Sequence, residues 1–260
     1  MLMRLFKLLL AMVFLGVSVC GCIKEQRGRC PCCLWVDMAQ VDTSVAPVAR
    51  ITVVGESGFV FDEQLEADRF EKGVLVMVPK GDCRVLVYSG EEGLAEPHKG
   101  LVIPYGSECP EVYMYAAEVD TDCEQSHKTV SLSKNYCRLS ICVEDAAHFP
   151  FTLSVKGEVA GYGADGMPVK GQFFHNVETV GDDLWVMAVP RQRDNSMLLE
   201  VRDETEVLKT FALGEYVSAS GYDWHAADLQ DITIGIDYTR TKLSIAVKGW
   251  DDVYEFDVVI

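Results

Sequence analysis

Alternation of apolar and polar residues dominates the chain from Leu34 onward. Leu34, Val36 and Met38 share one face of a first strand, and Ile51 and Val53 share one face of a second. Phe59 to Leu65 follows after Glu56-Ser57-Gly58, a short connection of hairpin type. Val74 to Val78 stops at Pro79-Lys80-Gly81-Asp82, where proline removes a ladder donor and glycine accepts turn conformations. Arg84 to Tyr88 resumes with Val85 and Val87 on one face, and the Gly-, Pro- and Glu-rich stretch from Ser89 to Pro110 reads as a long loop. Val112 to Val119 and Thr129 to Leu132 bring the first half to about seven strands.

The second half repeats the pattern. Cys137, Leu139, Ile141 and Val143 alternate, as do Phe151, Leu153 and Val155. Later runs are Leu184 to Val189, Met197 to Val201, Val207 to Leu213, Ile232 to Tyr238 and Leu243 to Val247. Tyr254, Phe256, Val258 and Ile260 lie on one face of a terminal strand. The stretch from Gly214 to Leu229 alone hints at helix, and its apolar residues fit a helical period poorly. Short strands at regular spacing without βαβ alternation predict an all-β chain of two tandem β-sandwiches. The boundary is expected near Ser133, with Asp145 to Pro150 as the other candidate.

The start of the chain changes this picture. Arg4 and Lys7 precede an apolar run from Leu8 to Leu15, which is shorter than the ~20 residues a membrane-spanning helix needs. A basic start, a short apolar centre and small residues at the end describe a secretory signal. Val19-Cys20-Gly21-Cys22 closes it with a cysteine after a small residue and an aliphatic residue three positions before, the arrangement of a lipoprotein signal. Cys22 is therefore the expected acyl acceptor and first mature residue. More than one acyl chain gives stable anchoring, at ~0.8 kcal/mol per buried methylene. The expected organisation is a signal peptide over 1–21, a lipidated tether over 22–33, an N-terminal sandwich over 34–133 and a C-terminal sandwich over 134–260.

Charge narrows the partners. A formal net charge of −17 repels nucleic acid and anionic headgroups, so no nucleic-acid partner is expected. Apart from Cys20 and Cys22 the cysteines are Cys30, Cys32, Cys33, Cys83, Cys109, Cys123, Cys137 and Cys142. An even set in an exported chain favours disulfides, with the pairing left open. Cys30-Pro-Cys32-Cys33 lacks the paired C-x2-C spacing of a zinc site, so no metal and no cofactor are expected.

The remaining motifs carry no chemistry. Gly161-Tyr-Gly163-Ala-Asp-Gly166 matches the dinucleotide-loop spelling, but Met167-Pro168 and a strand-like run to Val177 follow where a helix is needed, so it reads as a turn. His98, His127, His148, His175 and His225 are scattered without ligand or catalytic spacing. Asp120-Thr-Asp122, Asp182-Asp183 and Asp251-Asp252 lack the rest of a calcium loop. No catalytic set is legible. The terminal strand is a different kind of candidate, because an apolar strand at a chain end can complete its own sheet or pair with another subunit.

The chain resembles the FimB-type fimbrial anchor family of Bacteroidales, the lipoproteins at the base of type V pili. The matching pieces are Cys22-Ile-Lys-Glu leading into Cys30-Pro31 and the strand from Leu34, Gly58-Phe-Val-Phe, Lys80-Gly81 before Val85-Leu-Val, Arg138-Leu-Ser-Ile141, and Ala164-Asp-Gly166. The tail adds Trp224 with Leu229-Gln230-Asp231-Ile232, then Leu243-Ser-Ile-Ala-Val-Lys-Gly249-Trp250. Two departures stand out: the extra cysteines, and Lys248 where asparagine is usual before Gly-Trp.

The resemblance implies two transthyretin-like sandwiches, no enzymatic activity and a lipid-anchored, surface-exposed place in the outer membrane at the fimbrial base. It implies shaft pilin subunits as partners, joined by strand interaction, and a role in attaching the fibre and limiting its length. Tyr254, Phe256, Val258 and Ile260 are the expected contributors to the pilin interface. The alternative is a surface lipoprotein that binds glycan or host protein through sandwich loops.

Overall fold

The computed structural model describes residues 30–90, 100–144, 151–181, 183–203, 206–237, 242–248 and 252–257. The first half forms β1 (Cys32–Asp37), β2 (Val48–Gly55), β3 (Val60–Glu66), β4 (Val74–Val78), β5 (Asp82–Ser89), β6 (Leu101–Val102), β7 (Tyr113–Asp120), β8 (Gln125–Thr129) and β9 (Ser133–Lys134). A three-stranded sheet ordered β4-β1-β8 faces a five-stranded sheet ordered β3-β2-β5-β7-β9. Leu34 and Val36 of β1, Val76 and Val78 of β4, Ile51 and Val53 of β2, and Val85 and Val87 of β5 meet between them in one buried cluster. Period-two side chains make this possible, since every second residue of each strand points into the same gap.

The second half forms β10 (Tyr136–Val143), β11 (Thr152–Tyr162), β12 (Pro168–Asn176), β13 (Glu178–Thr179), β14 (Leu184–Pro190), β15 (Leu198–Arg202), β16 (Val207–Phe211), helix α1 (Leu213–Ala219), β17 (Ile232–Asp237), β18 (Lys242–Val247) and β19 (Val253–Asp257). A six-stranded sheet ordered β13-β14-β10-β17-β18-β19 packs on a sheet containing β12-β11-β15-β16. Leu139, Ile141, Leu153, Val155, Met187, Leu199, Ile234 and Ile245 fill the space between. The fold is all-β, with two β-sandwiches in tandem.

The two halves share a scheme. Each opens on a strand that lies inside its sheet with one antiparallel and one parallel partner: β4 and β8 for β1, β14 and β17 for β10. The parallel partner arrives late in each half, after the chain has passed through the opposite sheet, and in the second half α1 lies on that return.

Three segments differ from the sequence expectation. β1 starts at Cys32 and not at Leu34, because the Cys32 side chain is fully buried and extends the inward face. The first half's strand near its end is β8 at Gln125–Thr129, a polar strand on a sheet edge, and the apolar Val130 and Leu132 lie beyond it. The stretch expected as a loop from Ser89 to Pro110 contains β6, which pairs with β11 of the second sandwich, Leu101 opposite Tyr162 and Val102 opposite Gly161. Ile103 and Cys109 then join the second core. Leu86, Met114, Leu101, Val112 and Tyr162 form a small cluster of their own across the junction.

Candidate interaction surfaces

β19 is the terminal strand of the six-stranded sheet, bonded on one side to β18 with Leu243 opposite Phe256 and Ile245 opposite Tyr254. Its burial alternates: Val253, Glu255 and Asp257 are exposed, while Tyr254 and Phe256 are half-buried. Phe256 packs on the second core and meets the ring of Tyr216 from α1 at 5.0 Å between centroids. What β19 presents outward is its other backbone edge, beside the exposed Val253 at 63%. Among the described residues no strand pairs with that edge. Val258, Ile260 and Cys22 lie outside the described residues.

Arg191, which follows β14, ties the turn before β17 to the segment that joins β9 to β10. Its guanidinium donates to the carbonyls of Trp224 and Ala226 at 2.7 Å each, to that of Ala227 at 3.1 Å, and to Oδ1 of Asn135 at 3.0 Å. The Tyr162 hydroxyl donates to the Asn135 carbonyl and accepts from the Arg191 N–H at 2.8 Å. Burial pushes the Tyr162 hydroxyl well above its ordinary range and lowers the Arg191 guanidinium, which nearby Tyr162, Tyr222 and Asp223 partly restore. Five carbonyl and amide oxygens, counting Lys134 at 3.4 Å, take its donors, so the guanidinium is a structural clamp.

Beside it opens a cleft of about 660 Å³ between the two sandwiches, lined in part by Met114, Tyr115, Asp165, Arg193 and His225. A second surface feature is apolar: Trp35 of β1 sits opposite Leu75 of β4, and these with Met77 are 39%, 56% and 51% exposed.

The motifs singled out from sequence fall as follows. Gly163 to Gly166 forms the turn between β11 and β12, closed by Gly166 N–H to the Gly163 carbonyl at 2.9 Å, with no helix behind it. Gly161 serves the junction: its φ is +146°, and a Cβ there would lie 2.0 Å from the Leu101 carbonyl oxygen. His175 bonds the Gly106 carbonyl at 2.9 Å, while His127 lies 3.6 Å from Asp37 and His225 3.5 Å from Asp223, both exposed. His98 and His148 are outside the described residues. Among the described residues no group of three His, Cys, Asp or Glu could hold a metal, and no helix is long and apolar enough to cross a membrane.

Lys248, the departure noted before Gly-Trp, has a local partner. Its ammonium lies 3.6 Å from Asp231, whose carboxylate also takes Lys134 and the Arg138 N–H. Sequence reasoning did not find this cluster or the Arg191 clamp.

In fold the chain is thus a tandem-sandwich protein, and solved structures of similar fold come from Bacteroides and Porphyromonas. It is similar to a candidate polysaccharide-binding protein from Bacteroides thetaiotaomicron, at 13% identity and a TM-score of 0.61, over 86% of this chain and 98% of that one. A candidate adhesin from Bacteroides ovatus shares 12% identity at a TM-score of 0.59, over 90% and 97%. The fimbrial anchor protein Mfa2 from Porphyromonas gingivalis shares 12% identity at a TM-score of 0.57, over 85% and 98%. No family model matches the chain, and no curated protein matches it. The resemblance to fimbrial anchors read from sequence therefore holds at the level of fold.

Proposed function

We propose that the chain is a lipid-tethered base subunit of a fimbrium, acting by binding and not by catalysis. Acylated Cys22 holds it in the outer membrane, shaft pilin subunits attach through strand interaction, and the attachment limits fibre length. The observation that carries this reading is where the leader sits. Val19-Cys20-Gly21-Cys22 is followed, across residues 23–31, by β1, an inner strand of its sheet. A pull on Cys22 would enter the fold at β1, where ladders on both sides resist it. The likeness in fold to the Mfa2 anchor supports the same reading. An exported chain also meets an oxidising compartment, which supports disulfides among its cysteines.

Metabolic labelling with a palmitate analogue tests the tether: wild type takes up label and Cys22→Ala does not. Label retained in Cys22→Ala would refute it. Co-purification of wild type with a polymeric pilin tests the rest, as does longer, shed fibre in a deletion strain.

The inter-sandwich cleft favours one other reading, glycan binding. Tyr115, an aromatic residue, lines it beside Asp165, Arg193 and His225, whose side chains can hydrogen-bond. A monodisperse protein that binds a glycan array and recovers no pilin would support it against the anchor reading.

A further inference from the structure

Cys32 and Cys123 are in contact, Sγ to Sγ 3.8 Å, across 91 residues of chain. Cys32 is the first residue of β1 and fully buried; Cys123 is exposed in the connection from β7 to β8. The backbone brings them together: β1 and β8 run parallel with Cys33 opposite Gln125, and the Cys33 N–H bonds the Glu124 carbonyl at 2.9 Å. Neighbouring Cys33 does not compete, because its side chain turns to the other face of β1 and lies 3.3 Å from the Met77 sulfur.

We propose that Cys32 and Cys123 form a disulfide in the exported protein, locking the start of β1 to the β7–β8 connection. The proposal rests on the reading of the chain as exported and lipid-tethered, and names what reinforces the point where the tether joins the fold.

The chemistry needs a dithiol–disulfide oxidant of the exported compartment. The exposed Cys123, as thiolate, attacks the oxidant's disulfide and forms a mixed disulfide, expelling one oxidant thiolate. Cys32 then attacks Cys123 Sγ and expels the second. Both protein thiols lose their protons and together give up two electrons, and the oxidant leaves as a dithiol. The order follows from the surroundings. Burial, then Cys123 and the other nearby cysteines, push the Cys32 thiol up to about 11, so Cys32 is the poor initiator and the exposed Cys123 the accessible one.

The mechanical consequence follows from position. Cys123 lies between β7, in the five-stranded sheet, and β8, in the three-stranded sheet. A covalent bond from Cys32 therefore spreads a pull arriving from residues 23–31 into both layers, and not into the β1 ladder alone. A load that would peel β1 from its first hydrogen bond meets a bond that does not open.

The test is peptide mapping of the full chain, purified from its exporting host without reductant, alkylated while denatured and digested. Intact mass of the same sample reads whether the leader has been removed, which keeps failure of export separate from failure of the disulfide. The expected result is a Cys32–Cys123 cross-linked peptide that collapses on reduction. In Cys83→Ser the link should persist, and in Cys123→Ser Cys32 should be alkylated. Free, alkylated Cys32 and Cys123 in a processed wild-type chain would overturn the proposal, as would a link from Cys32 to Cys83. A second readout needs no variant: reductant should lower the Tm of wild type, and an unchanged Tm counts against the bond.

Discussion

The Arg191 guanidinium donates to the Trp224 carbonyl at 2.7 Å, and through this contact the end of β14 holds the turn that precedes β17. The same group reaches Asn135, in the short segment where the chain passes from β9 to β10. Removing it strands several carbonyls in a half-buried place, each at a cost of about 1–3 kcal/mol if water cannot replace the donor. Arg191→Ala is expected to destabilise the protein by about 2–4 kcal/mol, and Arg191→Lys to recover only part of that, because an ammonium lacks the planar fork. Urea unfolding checks both; equal stability of Arg191→Lys and wild type would mean the fork geometry is unimportant.

Gly161 and Leu101 set a second test. The close approach of the Leu101 carbonyl and the positive φ of Gly161 leave no room for a side chain. Gly161→Ala should cost about 1–3 kcal/mol from backbone strain and release β6 from β11. Hydrogen exchange should show faster loss of protection at Ile103, whose N–H bonds the Ala160 carbonyl, than in wild type. Gly106→Ala, also at positive φ (+89°) but with nothing within 4 Å, carries the strain without the clash and should leave β6 protected.

The strands of both cores were legible because their burial has a period of two, as in Cys137, Leu139, Ile141 and Val143 of β10. β8 was misplaced for the opposite reason. Its residues are polar, and it exists because β1 offers a parallel edge, which no local pattern announces. β6 is a two-residue pairing set by a distant partner, and the only trace in the sequence is a glycine on each side, Gly100 and Gly161. Apart from the Asn135 amide, the Arg191 clamp binds backbone carbonyls, which every residue carries, so nothing marked those acceptors. Tyr254 and Phe256 are the half-buried positions of β19, and Phe256 packs on the second core and on Tyr216 of α1. The cysteine count pointed to disulfides, but contact between Cys32 and Cys123 depends on the β1–β8 pairing and could not be read before it.

Asp231 gives a pH test. Burial alone would raise its carboxyl, but the Lys134 hydrogen bond, the Arg138 N–H and the charges of Lys134 and Lys248 outweigh it, and the net shift is downward. A carboxyl depressed on folding contributes stability above its unfolded pKa of about 4, and that contribution is lost as pH falls through the folded value. Asp231→Asn should lower stability at pH 7 by about 1–3 kcal/mol. Its Tm should also fall less steeply than that of wild type below about pH 4. Parallel Tm–pH curves for the two proteins would remove Asp231 from the acid response.

The open edge of β19 carries the test of the partner interface. Val253 is exposed and belongs to the outward set of β19, so changing it disturbs no core contact. Val253→Lys should alter stability by no more than about 0.5 kcal/mol. A charge on an edge strand discourages pairing with an incoming strand. If pilin adds to this edge, Val253→Lys should reduce pilin recovered with the tethered protein at least several-fold while labelling at Cys22 continues. Phe256→Ala is the companion variant. It removes the contact with Tyr216, so it should loosen β19 itself and lower stability by about 1–2 kcal/mol, in line with loss of a half-buried aromatic. Loss of pilin in both variants, with loss of stability only in Phe256→Ala, assigns the edge to the interface and the inner face to the core. Undiminished pilin recovery with Val253→Lys would move the interface to another strand.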